Sequence, residues 1–363
     1  MIGKHPENES VGGPGRVQSC LINEYSKNPS VQLTLITPHR VRYPFKRTVV
    51  TYNGNITVIK TSYLSMIRVL KFKKYDVVNL HGVSLANALC CLMKKNHKIP
   101  IVASVHGLIS EEIKMGRIHS KLSLIFEKII LSKSDIITTV SQEFKKTIVD
   151  IYGISPSKLI VIHNGIKDST LHAHATDDIK KLIDIVARPY VLFVGVLLPI
   201  KGIDILIDAF SKVKTDATLL LVGKNTEYFK GIKKNYTKLF ASGRIVITGY
   251  IDNATLESAY AHASVFILPS RQDSCPLVTL EAMARGIPII ISDRVGTKQI
   301  IKDSHEGFIV SLETPERFTL YTDILLRDVE LRKKMGINAK NTISRYTWTK
   351  VAQCYLDVYN SVM

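Results

Sequence analysis

Long apolar runs are scarce in this chain. The longest, Tyr190 to Ile200, has eleven residues with Gly195 and Pro199 inside it, against the roughly 20 a helix needs to span a bilayer. No transmembrane helix is expected. Cysteine is equally sparse: Cys20, Cys90, Cys91, Cys275 and Cys354 are odd in number and contain no C-x-x-C, which speaks against a disulfide framework and for a reduced, cytoplasmic chain. Met1-Ile2-Gly3-Lys4-His5-Pro6 runs into Glu7, Asn8 and Glu9 instead of an apolar signal region, so secretion is not indicated. No G-x₄-G-K-[ST] occurs, and Gly12-Gly13-Pro14-Gly15-Arg16 falls short of a G-x-G-x-x-G because Gln18 holds the third glycine position. P-loop and nicotinamide enzymes lose ground accordingly. The chain has no D-x-D handle for a metal-bound diphosphate, and the H-x-H pair His172 and His174 has no evident third ligand. No metal site and no cofactor are expected.

What is present begins with size and charge. At 363 residues the chain is long for one hydrophobic core and suggests two domains. Hydrophobic residues make up 45% and charged residues 22%, so the chain has the composition of a folded protein rather than a disordered one. Its net charge of +18 favours polyanions or anionic membrane surfaces. Residues 1–100 carry fifteen Lys and Arg against Glu7, Glu9, Glu24 and Asp76, which concentrates the positive charge in the N-terminal half.

Short β-branched runs alternate with longer amphipathic patterns, the signature of parallel α/β layers. Strands are predicted at 31–37, 55–60, 76–80, 101–105, 136–140 and 159–162, then at 190–196, 218–222, 245–248, 265–268, 288–292 and 308–310. Lys167–Arg188, rich in His, Asp and Lys and closed by Pro189, reads as a linker. Domains are therefore expected at 1–186 and 187–345. Residues 346–363 carry Val351, Cys354, Tyr355, Val358 and Tyr359 at helical spacing, and are expected to form a helix packing back on the N-terminal domain.

The richest segment runs from Ser270 to Pro288 and reads as strand end, loop, helix and stop. Asp273 or Ser274 can cap the helix, Pro276 suits its first turn, and Gly286 with Pro288 ends it. A helix N-terminus after a parallel strand attracts phosphate through unpaired N–H groups and the helix dipole. The bland alternative is a plain capped helix with Glu281 solvated. Asp273 and Glu281 stand eight apart. Together with Leu280-Glu281-Ala282-Met283-Ala284-Arg285-Gly286-Ile287-Pro288-Ile289-Ile290, this spacing resembles the D/E-x₇-E signature of retaining GT-B glycosyltransferases of family 4 (glycosyltransferase group 1). The resemblance extends to Gly12–Arg16, Asp76–Gly82, Val105-His106-Gly107-Leu108, Thr139-Val140-Ser141, Val161–Ile166, Phe193-Val194-Gly195, Lys201-Gly202-Ile203-Asp204, Leu221-Val222-Gly223 and Thr248-Gly249-Tyr250, in the family's order.

The resemblance implies two Rossmann-like α/β/α domains facing a cleft, the N-terminal one taking an acceptor and the C-terminal one a nucleotide sugar. It implies metal-independent transfer of a hexose or related sugar from a UDP- or GDP-sugar to a hydroxyl of a glycan or lipid-linked acceptor, with retention. His106, Lys201, Asp273 and Glu281 would be catalytic. Gly13, Gly15, Thr248, Gly249, Tyr250, Ser274, Cys275, Pro276, Leu277 and Val278 would bind the donor. Among these, Lys201 and the amides from Cys275 to Val278 meet the leaving diphosphate, Glu281 the ribose and Asp273 the donor sugar. Tyr63–Phe72 interleaves apolar residues with Arg68, Lys71, Lys73 and Lys74 and is a candidate acceptor or anionic-membrane face, which would make the protein peripheral at the cytoplasmic membrane face. A buried helix is the alternative. The chain departs from the family pattern at Val196, where an Arg is usual, with Arg271 as one candidate substitute, and at Asp273, one methylene shorter than Glu. The sequence starts almost at the end of the family's first strand, so either that strand is a stub near Ile2 or the reading frame begins late. Two alternatives stand beside the transferase reading: a nucleotide-sugar epimerase of the same fold, and a non-catalytic polyanion- or membrane-binding protein on a degenerate scaffold. Nucleic acid is the least favoured partner.

Overall fold

A computed structural model describes residues 1–2, 13–38, 47–52, 54–72, 75–114, 119–172 and 188–363. They form two compact units, Met1–Asn164 with Trp348–Met363, and Gly165–Thr347. The second unit thus starts before the boundary at 186/187, and residues 173–187 of the expected linker lie outside the described residues.

In the first unit α1 (Gly13–Ser26) precedes β1 (Leu33–Pro38), β2 (Arg47–Tyr52), β3 (Ile56–Thr61) and α2 (Tyr63–Phe72). There follow β4 (Val78–His81), α3 (Leu85–Leu92), α4 (Lys94–His97), β5 (Ile101–Val105) and α5 (Ile109–Lys114). The series closes with α6 (Lys121–Lys133), β6 (Ile136–Thr139), α7 (Gln142–Tyr152) and β7 (Leu159–Val161). The strands pair as β1-β3-β2 and β4-β5-β6-β7, and all pairings are parallel except β2 with β3. Ile2 joins the two ladders. It bridges Ile36 on one side and Leu80 on the other, its N–H donates to Asn79 at 2.8 Å, and its carbonyl accepts from His81 at 3.1 Å. Met1 adds to the β1 side, its carbonyl accepting from Ile36 at 2.9 Å, so Met1 and Ile2 fill a central position between the two ladders.

The second unit contains α8 (Asp168–His172), β8 (Tyr190–Val194), α9 (Ile203–Ser211), β9 (Thr218–Val222), α10 (Glu227–Asn235), α11 (Thr237–Ala241) and β10 (Ile245–Gly249). It continues through α12 (Asn253–Ala261), β11 (Val265–Leu268), α13 (Leu277–Ala284), β12 (Ile289–Ser292), β13 (Gly307–Val310), α14 (Glu316–Arg327) and α15 (Val329–Ile343). Its six strands lie in the order β10-β9-β8-β11-β12-β13, all parallel. Counted from the first strand of the unit, this is 3-2-1-4-5-6, the doubly wound order whose chain reversal lies between its first and fourth strands. The two strands at that reversal are buried along their full length, because helices cover both faces of such a sheet, and this is why they read as unbroken apolar runs.

The last helix, α16 (Trp348–Asn360), belongs to the first unit, where it packs on α1. Trp348, Val351, Ala352, Tyr355, Val358 and Tyr359 are buried at helical spacing, whereas Cys354, expected on the same face, is exposed. No helix among the described residues is long and apolar enough to cross a membrane.

Candidate active site

In the second unit the loops after β8 and β11 both leave from the sheet's reversal point, where ligands bind in doubly wound folds. The first loop ends in a short 3₁₀ turn, Pro199–Lys201, followed by Gly202 at φ +66°. A Cβ on Gly202 would stand 2.0 Å from the carbonyl oxygen of Pro269. Only glycine lets this turn adopt the left-handed conformation and lie against the end of β11. That contact carries Lys201 to the second loop, where its ammonium pairs with the Asp273 carboxylate. Asp273 is in turn fixed through its backbone: its N–H donates to Arg294 at 3.3 Å and its carbonyl accepts from Gly296 at 2.7 Å.

Arg271 does not take the place of the missing arginine at Val196. Its guanidinium forks onto both carboxylate oxygens of Asp204, at 2.8 and 2.6 Å, and donates to the Pro199 carbonyl at 2.6 Å. The backbone N–H of Arg271 also donates to Ile200 at 2.8 Å. The residue is spent on holding the Lys201 turn, and the Arg271 guanidinium beside Asp204 overcomes the cost of burial to hold that carboxyl below its usual range. Val196 itself is exposed.

α13 starts two residues later than a cap by Ser274 requires, and three later than a cap by Asp273. Pro276 is its N-cap, no side chain caps it, and no acid lies in its first turn. The opening amides, at Leu277 and Val278, are therefore not claimed by a capping side chain, the arrangement that suits an anion. At the other end Gly286, at φ +70°, donates to Met283 at 3.0 Å, and Ile287 donates to Ala282 at 3.2 Å. This is the paired bonding of a left-handed helix stop. Glu281 is not solvated: it is buried, and Oε2 accepts from the Tyr260 hydroxyl at 3.0 Å. Tyr260, on α12, is the positioning residue that the sequence reading missed. Its only sequence signal is an aromatic in a helix whose remaining positions, Leu256 apart, are small or polar. Cys275 is buried and Ser274 partly so. Thr248 donates to the carbonyl of Gly249 at 3.1 Å at the end of β10, while Tyr250 is 89% exposed.

In the first unit Gly13 and Gly15 are not in a loop. They form the first turn of α1, a helix with no acid in that turn, and a Cβ on Gly13 would meet nothing within 4 Å. Gly12 lies outside the described residues. His106 follows β5 as expected and lines a cavity of about 280 Å³ together with Pro14, Gly82, Glu112 and Glu127. It stacks on His81, ring centroids 5.8 Å apart, and all four ring nitrogens are shut off from solvent without a hydrogen-bond partner among the described residues. Burial pulls the His106 imidazole down to about 4, and burial together with the His106 charge lowers that of His81 as well, so both rings are neutral at pH 7. Glu127, fully buried on α6, accepts from the Ile109 N–H at 2.5 Å, from the Ser110 N–H at 3.3 Å and from the Tyr152 hydroxyl. It anchors the start of α5 beside the cavity.

Only part of the expected acceptor or membrane face on α2 falls among the described side chains: Met66, Val69 and Leu70 are buried and Arg68 is exposed. The side chain of Lys71, and Lys73 and Lys74 altogether, lie outside the described residues. Buried as they are, Met66, Val69 and Leu70 are not available to a bilayer.

Two family profiles match the chain: Glycosyltransferase Family 4 over residues 11–170 and Glycosyl transferases group 1 over residues 176–342. The chain belongs to the group 1 glycosyltransferases. An uncharacterized glycosyltransferase of Methanocaldococcus jannaschii is 28% identical over 313 residues, 81% of this chain and 77% of the relative. Among solved structures, sucrose-phosphate synthase from Thermosynechococcus elongatus superposes with a TM-score of 0.78 at 20% identity, covering 99% of this glycosyltransferase and 98% of that chain. Anabaena HepE in complex with UDP and glucose gives 0.77 at 17% identity, over 99% and 98%. These likenesses establish the GT-B fold. Neither the epimerase nor the non-catalytic scaffold is favoured by these matches.

Proposed function

We propose that this glycosyltransferase moves a hexose or related sugar from a UDP- or GDP-sugar to a hydroxyl of a glycan or lipid-linked acceptor, with retention at the anomeric carbon and without an essential metal. The observation that carries the reading is the pairing, at one reversal point of one sheet, of Lys201 with the open N-terminus of α13. Both supply fixed positive potential for a diphosphate. The Anabaena protein of the same fold was solved with UDP and with UDP-glucose, which supports a uridine nucleotide as the first donor to try.

In this reading Lys201 and the amides of Leu277 and Val278 take up charge as the bond from the anomeric carbon to the diphosphate oxygen breaks. The acceptor oxygen bonds to the same face of that carbon, and its proton passes to the departing diphosphate. Asp273 orients hydroxyls of the donor sugar and Glu281, held by Tyr260, the ribose. Thr248, Gly249 and Tyr250 border the base. The first unit takes the acceptor, and the unpartnered nitrogens of His106 and His81 suit sugar hydroxyls, which both donate and accept. Gly13 and Gly15 add the open first turn of α1.

The test is calorimetric titration with UDP, GDP and their common sugar conjugates, with Lys201→Ala as control, followed by anomeric analysis of any product by NMR. Selective binding that is lost in the variant, and a product of unchanged anomeric configuration, would support the reading. Folded protein that binds none of these nucleotides would overturn it.

A further inference from the structure

Helix α6 has two apolar faces. Its inner face, with Glu127, Ile130 and Leu131, lines the first unit's cavity. On the opposite face Leu122 is 59% and Ile125 52% exposed, and Ile129, at the next position along the same stripe, is half-buried. A helix packed on a sheet ordinarily turns polar residues outward. Here the flank beside the stripe carries Lys121, Lys128 and Ser132, with Lys133 at its C-terminal end. The three lysines are exposed and have no ion-pair partner among the described residues. The helix's one acid, Glu127, is turned inward.

α3 packs against α6 and leaves Leu85 and Leu92 39% and 54% exposed. α3 departs from the carboxyl end of β4, and α6 runs back toward the start of β6, so Leu85 and Leu122 both sit toward the carboxyl edge of the sheet, the edge that carries His106. The excess of basic residues in the first hundred adds a long-range field of the same sign.

We propose that the outer face of α6 is a monotopic contact with an anionic bilayer. Leu122 and Ile125 enter the acyl boundary while the lysines lie among headgroup phosphates. A second copy of the chain fits less well, because two-fold pairing of this face would set lysines against lysines. The inference rests on the proposed function only in reading the acceptor as membrane-borne; the surface itself does not depend on that.

Sedimentation of the full chain with vesicles tests it, using phosphatidylcholine alone and phosphatidylcholine with phosphatidylglycerol. The protein should bind the anionic vesicles and leave the neutral ones. Leu122→Ser/Ile125→Ser should lower the partition coefficient at least about tenfold, and Lys121→Glu/Lys128→Glu by a similar factor. Arg68→Glu, on α2, should fall within about twofold of the wild type by comparison. All these substitutions sit at exposed positions, and unchanged circular dichroism and unchanged calorimetric UDP binding would separate a lost surface from a lost fold or a wrong donor site. Wild-type protein that ignores anionic vesicles, or double variants that bind them as it does, would overturn the proposal. So would a concentration-dependent dimer abolished by Leu122→Ser/Ile125→Ser, which would make the face a self-association surface.

Discussion

Lys201 is occupied before any donor arrives, and this fixes the sign of an unusual prediction. Its side chain is 27% exposed and that of its partner Asp273 15%. Two unit charges about 4 Å apart in partly screened surroundings attract by about 4 kcal/mol gross, of which desolvation and solvent screening leave about 1 kcal/mol. A diphosphate bound to Lys201 must replace that contact. Asp273→Asn should therefore bind UDP roughly fivefold more tightly than the wild type, even though it loses the carboxylate meant to orient the donor sugar and so transfers sugar poorly. Lys201→Ala should weaken UDP by roughly two- to thirtyfold, the worth of a charge-assisted bond less the pair it displaces. The decisive measurement is a double-mutant cycle by calorimetry with UDP at fixed ionic strength. Part of any gain in Asp273→Asn comes from removing a negative charge near an anion, and that part survives in a Lys201→Ala background. The part that acts through Lys201 vanishes there. Equal gains in both backgrounds, or no gain in Asp273→Asn, would refute the competition.

Three further outcomes follow from the same geometry. Gly202→Ala forces a Cβ against the Pro269 carbonyl in a left-handed turn and should cost about 3 kcal/mol, seen as a fall of roughly 6–12 °C in melting temperature; a shift under a degree would show that the turn relaxes freely. Tyr260→Phe removes a hydrogen bond to Glu281 and should raise the KM for the nucleotide sugar roughly fivefold with kcat little changed, whereas an unaltered KM would mean that Glu281 is positioned without it. His106 has a folded-state value of about 4 against 6.5 in the open chain, so the unfolded state binds more protons. Stability is fully present above pH 6.5 and falls as pH drops toward 4, by roughly 3 kcal/mol from this group alone. Urea midpoints at neutral and acid pH check this, and His106→Gln should flatten the slope.

The second unit was nearly transparent in the sequence, because strands buried on both faces leave unbroken runs such as Val265–Leu268, and a glycine or proline marks the ends of β8, β9, β10 and β11. The first unit was less so. β2 was not anticipated, although Thr48-Val49-Val50-Thr51-Tyr52 leads into Asn53-Gly54 and a second β-branched run, a pattern that signals a hairpin. An antiparallel strand has no place in an expectation built only on strand–helix alternation. The helix-cap assignments at Asp273 and Ser274 failed for a related reason. Capping rules weigh residue types locally, and here the loop is held from outside, by Lys201 through the side chain and by Arg294 and Gly296 through the backbone. Long-range contacts of that kind leave no periodic trace.

The same distinction bears on Arg271, one candidate substitute for the arginine missing at Val196. In the sequence it is one cation near an expected diphosphate, and with Val196 standing where an arginine is usual it looks like a replacement. In the fold its guanidinium makes three bonds, two to Asp204 and one to Pro199, which leaves little of its charge for a ligand. In the proposed donor site the diphosphate then rests on the Lys201 ammonium and the N-terminus of α13. The helix terminus cannot move, being set by Pro276 at one end and the Gly286 stop at the other. Lys201 can move, but only as far as its turn allows, and Arg271 holds that turn. Arg271→Lys keeps a positive charge but cannot fork onto Asp204. It should therefore weaken UDP binding nearly as much as Arg271→Ala, whereas a residue acting through its charge alone would be rescued by lysine.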